Sequence, residues 1–344
     1  MPRPRITSRD VARQAGVSRT TVSFVLNRVM DAGISEDTRQ RVLAVAEELG
    51  YVPDATAQAL ASGRTKTIGL VFRHPHAAAR ALPSNMQLIE GLMEIARQAG
   101  VRLLIDTVAQ EDSASSYVTL TRTKRIDGLI LLNSRFDDQV IYDLVHDGFP
   151  LVLLGRLPGL PVDSIEFDNR GGARRAVEHL LAQGHTRIGC IGYAAPVFTG
   201  VTERMQGYQD ALAAAGLPYD ETLIRYGEVT ADSGFAATMS LLADALPTAL
   251  FVSSDILAFG ALAAIQRYGL RIPDDIAVVG FDDTPLARYT NPSLTTVHIS
   301  FEEMGRQAGQ MLLERMYHDI GAARQVLLDA TVVIRESSVR HLPA

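Results

Sequence analysis

Apolar residues at helical spacing predict two short helices, separated by one glycine, close to the N-terminus of the chain. Val11 and Ala15 share one face of the first helix. Thr7 is a good N-cap, and Asp10 lies three residues later, where its side chain can reach the amide of the cap. Gly16 permits the left-handed backbone conformation that ends this helix and leads into the next.

A second and a third helix follow the same pattern. Ser18 can cap the second helix and Ser35 the third, where two acidic residues suit the positive end of the helix dipole. The apolar stripes of these helices are Val22, Val25 and Leu26, and then Val42, Val45 and Leu49. Gly50 stops the third helix. Three short helices in this order are the parts of a helix-turn-helix head that ends near Tyr51.

The outward face of the second helix carries side chains that suit the base edges in a DNA groove. Arginine is the best bidentate partner of guanine, small hydroxyls bond bases or phosphates, and an aromatic edge can contact a thymine methyl group. The residues on this arc are Arg19, Thr20, Ser23, Phe24 and Asn27. Any small three-helix cap could show such a pattern, but the run Ala-Gly-Val-Ser-Arg-Thr-Thr-Val-Ser is more specific than amphipathicity alone. We therefore predict DNA binding.

Residues 53–63 form a short alanine-rich segment between the head and the rest of the chain. The segment contains helix formers, but a helix of two to three turns is marginal in water by itself. It can be a partly helical linker, or a hinge that folds only when a partner supports it. Leu60 is its single large apolar side chain, and leucines inserted into the minor groove are a known means of kinking DNA.

From residue 67 onward, apolar strand-like runs alternate with amphipathic helical stretches. Strands are predicted at 67–72, 101–107, 128–132 and 151–154, with helices near 86–98, 113–123 and 138–146 between them. The alternation restarts with a helix at 171–182 and strands at 187–191, 223–226, 249–252 and 276–280. Continuous apolar strands separated by helices predict parallel sheets covered on both faces. Two runs of similar length predict two Rossmann-like subdomains.

The last part of the chain predicts a return to each subdomain. A strand-like crossing at 294–299 precedes Ser300 and Glu303 in capping-box spacing, a helix to about residue 317 and a final strand at 325–334. Several crossings would make a hinge with a cleft between two lobes. The predicted domains are a head at 1–52, a hinge helix and linker at 53–66, and an α/β core at 67–344. We expect its N-lobe at about 67–163 plus 297–323 and its C-lobe at about 164–294 plus 324–340.

Composition restricts the function further. Of the 344 residues 47% are hydrophobic and 21% charged, which is typical of a globular protein with two or three domains. The chain has neither an apolar run of the roughly 20 residues that a membrane helix needs nor a signal-peptide core. We therefore expect a cytoplasmic protein without a membrane partner. The single cysteine, Cys190, has apolar neighbours and is expected to be a buried strand thiol without a redox or metal role.

The distribution of charge says more than the net charge of −6. Residues 1–28 contain six arginines and one aspartate, a balance of +5, so the remainder of the chain carries −11. This asymmetry favours a small basic reader attached to a larger acidic module that does not touch phosphate.

Several short motifs follow one another along the chain. They are the head, Tyr-Val-Pro-Asp and Ala-Leu-Ala in the hinge segment, Ile-Gly-Leu at 68–70, Gly-His-Thr-Arg-Ile-Gly at 184–189, Arg-Met-Gln-Gly-Tyr at 204–208, Gly-Phe-Asp-Asp at 280–283 and Pro-Ser-Leu-Thr-Thr at 292–296. In these motifs the chain resembles the LacI/GalR family of bacterial transcriptional regulators over nearly its whole length. These motifs stand in the family's order and spacing. The resemblance implies a homodimer on a pseudo-palindromic operator, with a lobe pair like that of periplasmic sugar-binding proteins sensing a small molecule.

The resemblance also implies roles for individual residues of the head. Positions that read bases in the family are matched by Arg19, Thr20 and Phe24, and Leu60 matches the hinge leucine that enters the minor groove. Nearby positions for phosphate and sugar contacts are Ser8, Ser18, Thr21, Ser23 and Asn27. Phe24 departs from many members, which have arginine or another polar residue there, so apolar contact would replace hydrogen bonding.

For the effector, Arg204 and Asp282 match the family's ligand-binding arginine and aspartate. Their chemistry suits a polyol, because a carboxylate accepts two adjacent hydroxyls and a guanidinium donates a rigid fork. Further pocket-lining positions are matched by Arg73, Ser254 and Phe301. Val229 stands where several sugar-binding members have a stacking aromatic, which suggests a bulkier effector or stacking from elsewhere. Asp168 could also reach the cleft.

Several of these residues have structural interpretations as well. Asp282 could shape a turn after a strand, Arg204 could lie on the surface, and Asp168 and Asn169 suit the cap of the following helix. His185 is expected to fix a helix-to-strand loop. His74 and His76 have alternating spacing, but no cysteine or acidic cluster accompanies them, so we expect no metal site.

Three other functions stay open at this point. An enzyme on the same lobes would be expected to bind a cofactor, but no Gly-x-Gly-x-x-Gly follows a strand and no Walker loop is present, so we predict neither an enzyme nor a cofactor. A solute-binding protein for transport fits poorly with the missing signal sequence and the attached reader. Activation can replace repression, because the same DNA contacts serve both. The C-terminus has no leucine heptads, so we expect a dimer.

Overall fold

The computed structural model describes residues 6–27, 32–52, 54, 58–59, 62–74, 83–109, 115–132, 138–193, 199–318 and 321–339. The chain divides into two compact units, Met1–Lys66 and Thr67–Ala344. Among the described residues, none of the helices is long and apolar enough to span a membrane.

The first unit contains α1 (Ser8–Ala15), α2 (Arg19–Leu26) and α3 (Glu36–Glu48). The predicted caps are present: the Thr7 amide donates to the Asp10 carboxylate at 3.0 Å, and the Thr21 amide donates to Ser18 Oγ at 3.0 Å. Gly16 ends α1 at φ +66°, in the left-handed region where a side chain would be strained. The core of the head consists of Val11, Ala12, Ala15, Val22, Val25, Val42 and Ala46. The three predicted helices are therefore confirmed.

The second unit begins with a six-stranded parallel sheet. Its strands are β1 (Thr67–His74), β2 (Arg102–Ala109), β3 (Gly128–Leu132), β4 (Leu151–Leu154), β5 (Asp163–Phe167) and β11 (Gln325–Leu328). Their order in the sheet is β11-β5-β4-β3-β1-β2, and every neighbouring pair is parallel. Helices α4 (Pro83–Ala99), α5 (Ser115–Arg122), α6 (Gln139–His146) and α11 (Phe301–Tyr317) belong to this N-lobe. Gly91 of α4 lets α11 approach closely, because a Cβ there would lie 2.0 Å from the Glu302 carbonyl oxygen.

The C-lobe has a four-stranded parallel sheet. Its strands are β6 (Ile188–Tyr193), β7 (Ile224–Gly227), β8 (Ala249–Val252) and β9 (Ala277–Val279), and their order in the sheet is β7-β6-β8-β9. Its helices are α7 (Asn169–Ala182), α8 (Thr199–Ala214), α9 (Ala231–Ala245) and α10 (Asp255–Tyr268). A short antiparallel pair, β10 (Thr296–His298) and β12 (Thr331–Val333), accompanies this sheet. The predicted all-α head and the two-lobed α/β core that follows it in the chain are confirmed, and Cys190 is buried in β6 as expected.

The lobe boundaries and the last strand differ from the prediction. Residues 325–334 form two strands rather than one, because β11 joins the N-lobe sheet and β12 pairs with β10. β5 also belongs to the N-lobe sheet, so the crossings lie after Phe167 and after Leu328 rather than near 163 and 323. The polar residues of β5 concealed this strand. Asp163 is buried there because Arg315 and Arg324 pair with it at 2.8 and 3.3 Å.

Candidate functional site

The predicted DNA-reading residues lie on and around α2 in the head. The Arg19 guanidinium has no hydrogen-bond or ion-pair partner among the residues that the structure describes, and Phe24 is 39% exposed. A groove of about 420 Å³ runs along this helix. Its lining includes Ser8, Arg19, Thr20, Ser23, Leu26, Asn27, Tyr51 and Gln58. The fold thus brings together a free cation, several hydroxyls and an exposed aromatic ring, which are the groups that base edges and phosphates require.

Four of the predicted contact residues also form hydrogen bonds with one another at the ends of α2. Ser18 Oγ accepts the Thr21 amide, and the two hydroxyl oxygens are 2.9 Å apart. The Asn27 side-chain amide donates to Ser23 Oγ at 3.2 Å. These bonds fix the hydroxyls in position at the two ends of α2, and each hydroxyl keeps capacity for a further hydrogen bond.

Leu60 lies outside the described residues, so its predicted role in the minor groove stays a prediction. A described neighbour in the same segment, Gln58, donates from its side-chain amide to Asn27 Oδ1 at 3.2 Å. The hinge segment therefore contacts the end of α2 through a polar pair that the sequence did not suggest.

In the C-lobe, Arg204 is held on three sides. Its Nε donates to Asn169 Oδ1 at 2.9 Å, and its Nη1 donates to the Ser253 carbonyl oxygen at 2.6 Å and to Asp282 Oδ1 at 3.0 Å. The guanidinium carbon lies 3.7 Å from the centroid of the Phe281 ring, a cation–π contact. The Nη2 amino group has no partner among the described residues, and the side chain is 11% exposed. Two donors of a rigid fork are thus left for a ligand.

Asp282 is the acceptor of this cluster. Its Oδ2 accepts Ser254 Oγ at 3.1 Å, and its Oδ1 accepts Arg204. Burial raises the pKa of Asp282, while Arg204 and Ser254 oppose that rise. The backbone of Asp282 has φ +113°, a region that non-glycine residues rarely adopt, and such strain is concentrated at functional sites in proteins.

The place of this cluster follows from the topology of the C-lobe. Ser253 and Ser254 follow β8 directly, and Asp282 lies just beyond β9. Since β6 is flanked by β7 on one side and β8 on the other, the chain changes direction in the sheet between β6 and β8. In open parallel sheets, ligands bind at the carboxyl ends of strands beside such a point.

The remaining effector candidates are less directly connected to Arg204. Asp168 caps α7, because its Oδ1 accepts the Gly171 amide at 2.9 Å, and its Oδ2 pairs with Arg175 at 2.9 Å. Phe301 packs edge-on against Phe167 at 5.0 Å between ring centroids. Val229 is half-buried in the turn between β7 and α9. Arg73 lies in β1, and its side chain is outside the described part of the structure.

Sequence reasoning missed three polar residues beside this cluster. Asn169, expected only as a helix cap, links Arg204 to Glu203, whose Oε2 accepts the Asn169 amide at 3.4 Å. Glu166 of β5 pairs with Arg156 at 3.3 Å. Burial raises the pKa of both glutamates. The charge of Glu203 raises the pKa of Glu166 further, and the charge of Asp168 does the same for Glu203. Glu203 adjoins Arg204 in sequence, which was the one signal that could have pointed to it.

No group of three metal-binding side chains occurs within the described ranges. The side chain of His74 and all of His76 lie outside those ranges. His185 is buried in the loop before β6, where its Nδ1 lies 3.2 Å from Thr248 Oγ1, as expected for a residue that fixes this loop.

Comparison with known proteins gives matches for both units. Residues 7–54 match the bacterial regulatory proteins of the lacI family, and residues 177–338 match the periplasmic binding protein-like domain. The HTH-type transcriptional regulator CelR of Thermobifida fusca is 36% identical over 340 residues, which are 97% of this chain and 99% of that protein. The HTH-type transcriptional regulator DegA of Bacillus subtilis is 33% identical over 339 residues, 97% of this chain and 98% of that protein.

Solved structures agree with these relatives. A lac repressor dimer bound to operator and the anti-inducer ONPF has a TM-score of 0.86 at 30% identity, covering 98% of this chain and all of that one. A complex of the transcriptional regulator CelR with cellobiose has a TM-score of 0.74 at 34% identity, covering 97% of this chain and all of that one.

Proposed function

Because this chain belongs to the lacI family of bacterial regulatory proteins, we propose that it is a dimeric transcriptional repressor controlled by a carbohydrate or carbohydrate derivative. The repressor binds a pseudo-palindromic operator through two copies of the head. The effector binds between the lobes and changes their relative angle. Such a change alters the spacing of the two hinges, so that both heads either can or cannot occupy successive grooves.

The observation that carries the effector part is the anchored Arg204 beside Asp282. Three sides of the guanidinium are occupied, and Nη2, which has no partner among the described residues, offers two donors next to a carboxylate acceptor. A pair of adjacent hydroxyls matches this arrangement of donors and acceptor. Cellobiose in the CelR complex supports the choice of a carbohydrate for this chain.

The effector pocket extends beyond Arg204 and Asp282 in this proposal. Ser254 fixes Asp282, Phe301 offers aromatic surface beside the buried Phe167, and Arg73 lies near the end of β1. Val229 leaves room for a ligand where an aromatic side chain would restrict it. Asp168 contributes indirectly, by capping α7, because both of its carboxylate oxygens are already bonded to residues of that helix.

The DNA part rests on α2 and on the hinge. Arg19, Thr20 and Phe24 read base edges, and the surrounding hydroxyls position the head on phosphates. Leu60 enters the minor groove from the hinge. Few base-reading side chains belong to one head, so a second copy is required for a specific complex.

The proposal is tested by selecting bound sequences from random duplex DNA with the full chain and then measuring affinity by fluorescence anisotropy at fixed salt. We expect two half-sites related by a dyad. Phe24→Ala should lose selectivity among half-sites and keep non-specific binding. Leu43→Ala is the matched control, since Leu43 is another partly exposed apolar residue of the head, at 46% against 39% for Phe24, and should leave selectivity unchanged.

A panel of mono- and disaccharides, including cellobiose, is then added to the operator complex. We expect at least one sugar to change operator affinity in the wild-type chain, and to lose that effect in Asp282→Asn. Selection of a single half-site without a dyad would refute the dimer. A sugar whose effect survives unchanged in Asp282→Asn would remove Asp282 from the effector site.

A further inference from the structure

Asp255 is a second carboxylate at the effector cluster, and neither the family resemblance nor the proposed function uses it. It is the first residue of α10, and its side chain is fully buried. Its backbone amide donates to the Phe281 carbonyl oxygen at 2.7 Å and also supports the carboxylate of Asp282. Two carboxylates therefore lie close together at the N-terminus of one helix.

The partners of Asp255 are all uncharged. Its Oδ2 accepts the Thr284 amide at 2.7 Å and the Thr284 hydroxyl at 3.2 Å, and its Oδ1 lies 2.5 Å from Thr296 Oγ1. Gly280 makes room for this carboxylate, because a Cβ there would lie 2.4 Å from Asp255 Oδ1. The described residues thus enclose this carboxylate with neutral donors and supply no cation for it.

In the described part of the chain, the guanidinium of the cluster is that of Arg204, which pairs with Asp282. Arg204 Nη1 bonds Asp282, and no bond joins Arg204 to Asp255 in the described part of the chain. The other charged groups on the surrounding elements are already paired or exposed. They are Asp283, which bonds Arg335 at 2.6 Å and His298 at 3.0 Å, and Arg288, which is exposed on the short helix Pro285–Tyr289.

Two buried negative charges against one positive charge would be costly in a water-excluded site. A carboxylate beside another carboxylate escapes this cost by keeping a proton, as paired acids do when only one of them can ionise. Asp282 has the guanidinium, the Ser254 hydroxyl and a backbone amide to stabilise its charge. Among the described residues, the donors to Asp255 are all neutral, and one of them, the Thr296 hydroxyl, can accept a hydrogen bond as well as donate one.

We propose that Asp255 is a positioning residue of the effector site. It stays protonated, so that Asp282 can be ionised and Arg204 remains paired with Asp282. The protonated Asp255 bonds Thr296 at the beginning of β10 and Thr284 in the loop that follows Asp282. It thereby fastens this loop to the strand that leads toward the N-lobe. Loss of this proton places a second negative charge beside Asp282. The ionised Asp255 then competes with Asp282 for Arg204, and the loop after Asp282 is held less firmly.

The direction in which the pKa of Asp255 is shifted agrees with this proposal. Burial and the neighbouring Asp282 raise the pKa of Asp255 to about 8, although its three hydrogen-bond donors oppose the rise. A folded-state pKa above the unfolded value means that the folded chain holds a proton that the unfolded chain releases. The free energy of unfolding then decreases as pH rises from the unfolded pKa toward the folded one.

The inference rests on the proposed function only for the role of Asp282 in effector binding, and its test needs no effector. The full chain is labelled with carboxyl-¹³C aspartate, and Asp255 is assigned by the signal that is lost in Asp255→Asn. We expect its chemical shift at pH 7 to be that of a protonated carboxyl and to move to the ionised value only at alkaline pH. An ionised shift at pH 7 would overturn the proposal.

Unfolding by urea as a function of pH provides a second readout. Asp255→Asn keeps the shape and neutrality of the protonated acid, so it should fold and should release about one proton fewer on unfolding between pH 5 and pH 7. Asp255→Ala, which loses the bonds to both threonines, should be destabilised throughout. An unchanged pH slope in Asp255→Asn would also overturn the proposal. If the shift is that of a protonated acid and no sugar binds, the proposed carbohydrate effector fails while this inference stands.

Discussion

Replacing Arg204 by methionine removes the cation that pairs with Asp282 in a buried cluster of two carboxylates. The side chains of Arg204 and Asp282 are 11% and 13% exposed, so water replaces little of the lost interaction. Breaking a buried ion pair by removing one partner costs about 3–5 kcal/mol, because the remaining charge stays unpaired. The Ser253 carbonyl and the Asn169 amide oxygen also lose their donor, at about 1 kcal/mol each.

Methionine keeps the contact with the Phe281 ring and so avoids a cavity. We therefore expect the free energy of unfolding to fall by about 5–7 kcal/mol at pH 7. The loss should be smaller at pH 5, since burial raises the pKa of Asp282 and protonation removes the unpaired charge. The measurement is urea unfolding, followed by far-UV circular dichroism at a fixed protein concentration.

Arg271→Met is the matched control for this experiment. Arg271 pairs with Asp274 and Asp275 at 3.1 and 3.0 Å, but it is 70% exposed, so its loss should not change stability measurably. Equal losses in the two variants would refute the reasoning, because burial would then not decide the contribution of the ion pair. A loss in Arg204→Met that is the same at pH 7 and pH 5 would refute the assignment of the cost to an unpaired carboxylate.

Two further predictions concern packing in each unit. Gly91→Ala should destabilise the core by about 1–3 kcal/mol in urea unfolding, since the new methyl group meets the Glu302 carbonyl oxygen at 2.0 Å and must push α4 and α11 apart; a neutral effect would contradict the close approach. Val22→Ala should lower the stability of the head by about 2 kcal/mol through lost burial and a cavity, measured by hydrogen exchange of α1 to α3. If Val22→Ala leaves the protection of the head unchanged while Leu43→Ala, at a half-exposed position, reduces it, the assignment of Val22 to the core is wrong.

The sequence determined the elements whose local chemistry is self-contained. The head was predictable because caps at Thr7, Ser18 and Ser35 and a turn at Gly16 each require only near neighbours. The parallel strands were predictable because they are continuous apolar runs, and the family motifs pointed to Arg204 and Asp282. These predictions rest on side chains and backbone within a few residues of one another.

Only the tertiary structure decided the features that depend on distant partners. β5 was missed because Asp163 makes it look polar, and its burial depends on arginines more than 150 residues away. The split of β11 from β12 depends on which sheet each strand joins, which local sequence does not encode. Likewise, the link from Arg204 through Asn169 to Glu203, and the enclosure of Asp255 by Thr284 and Thr296, exist only after the sheet is assembled. The physical reason is that the free energy of a buried charge is set by the groups around it in space, while the sequence specifies only its neighbours along the chain.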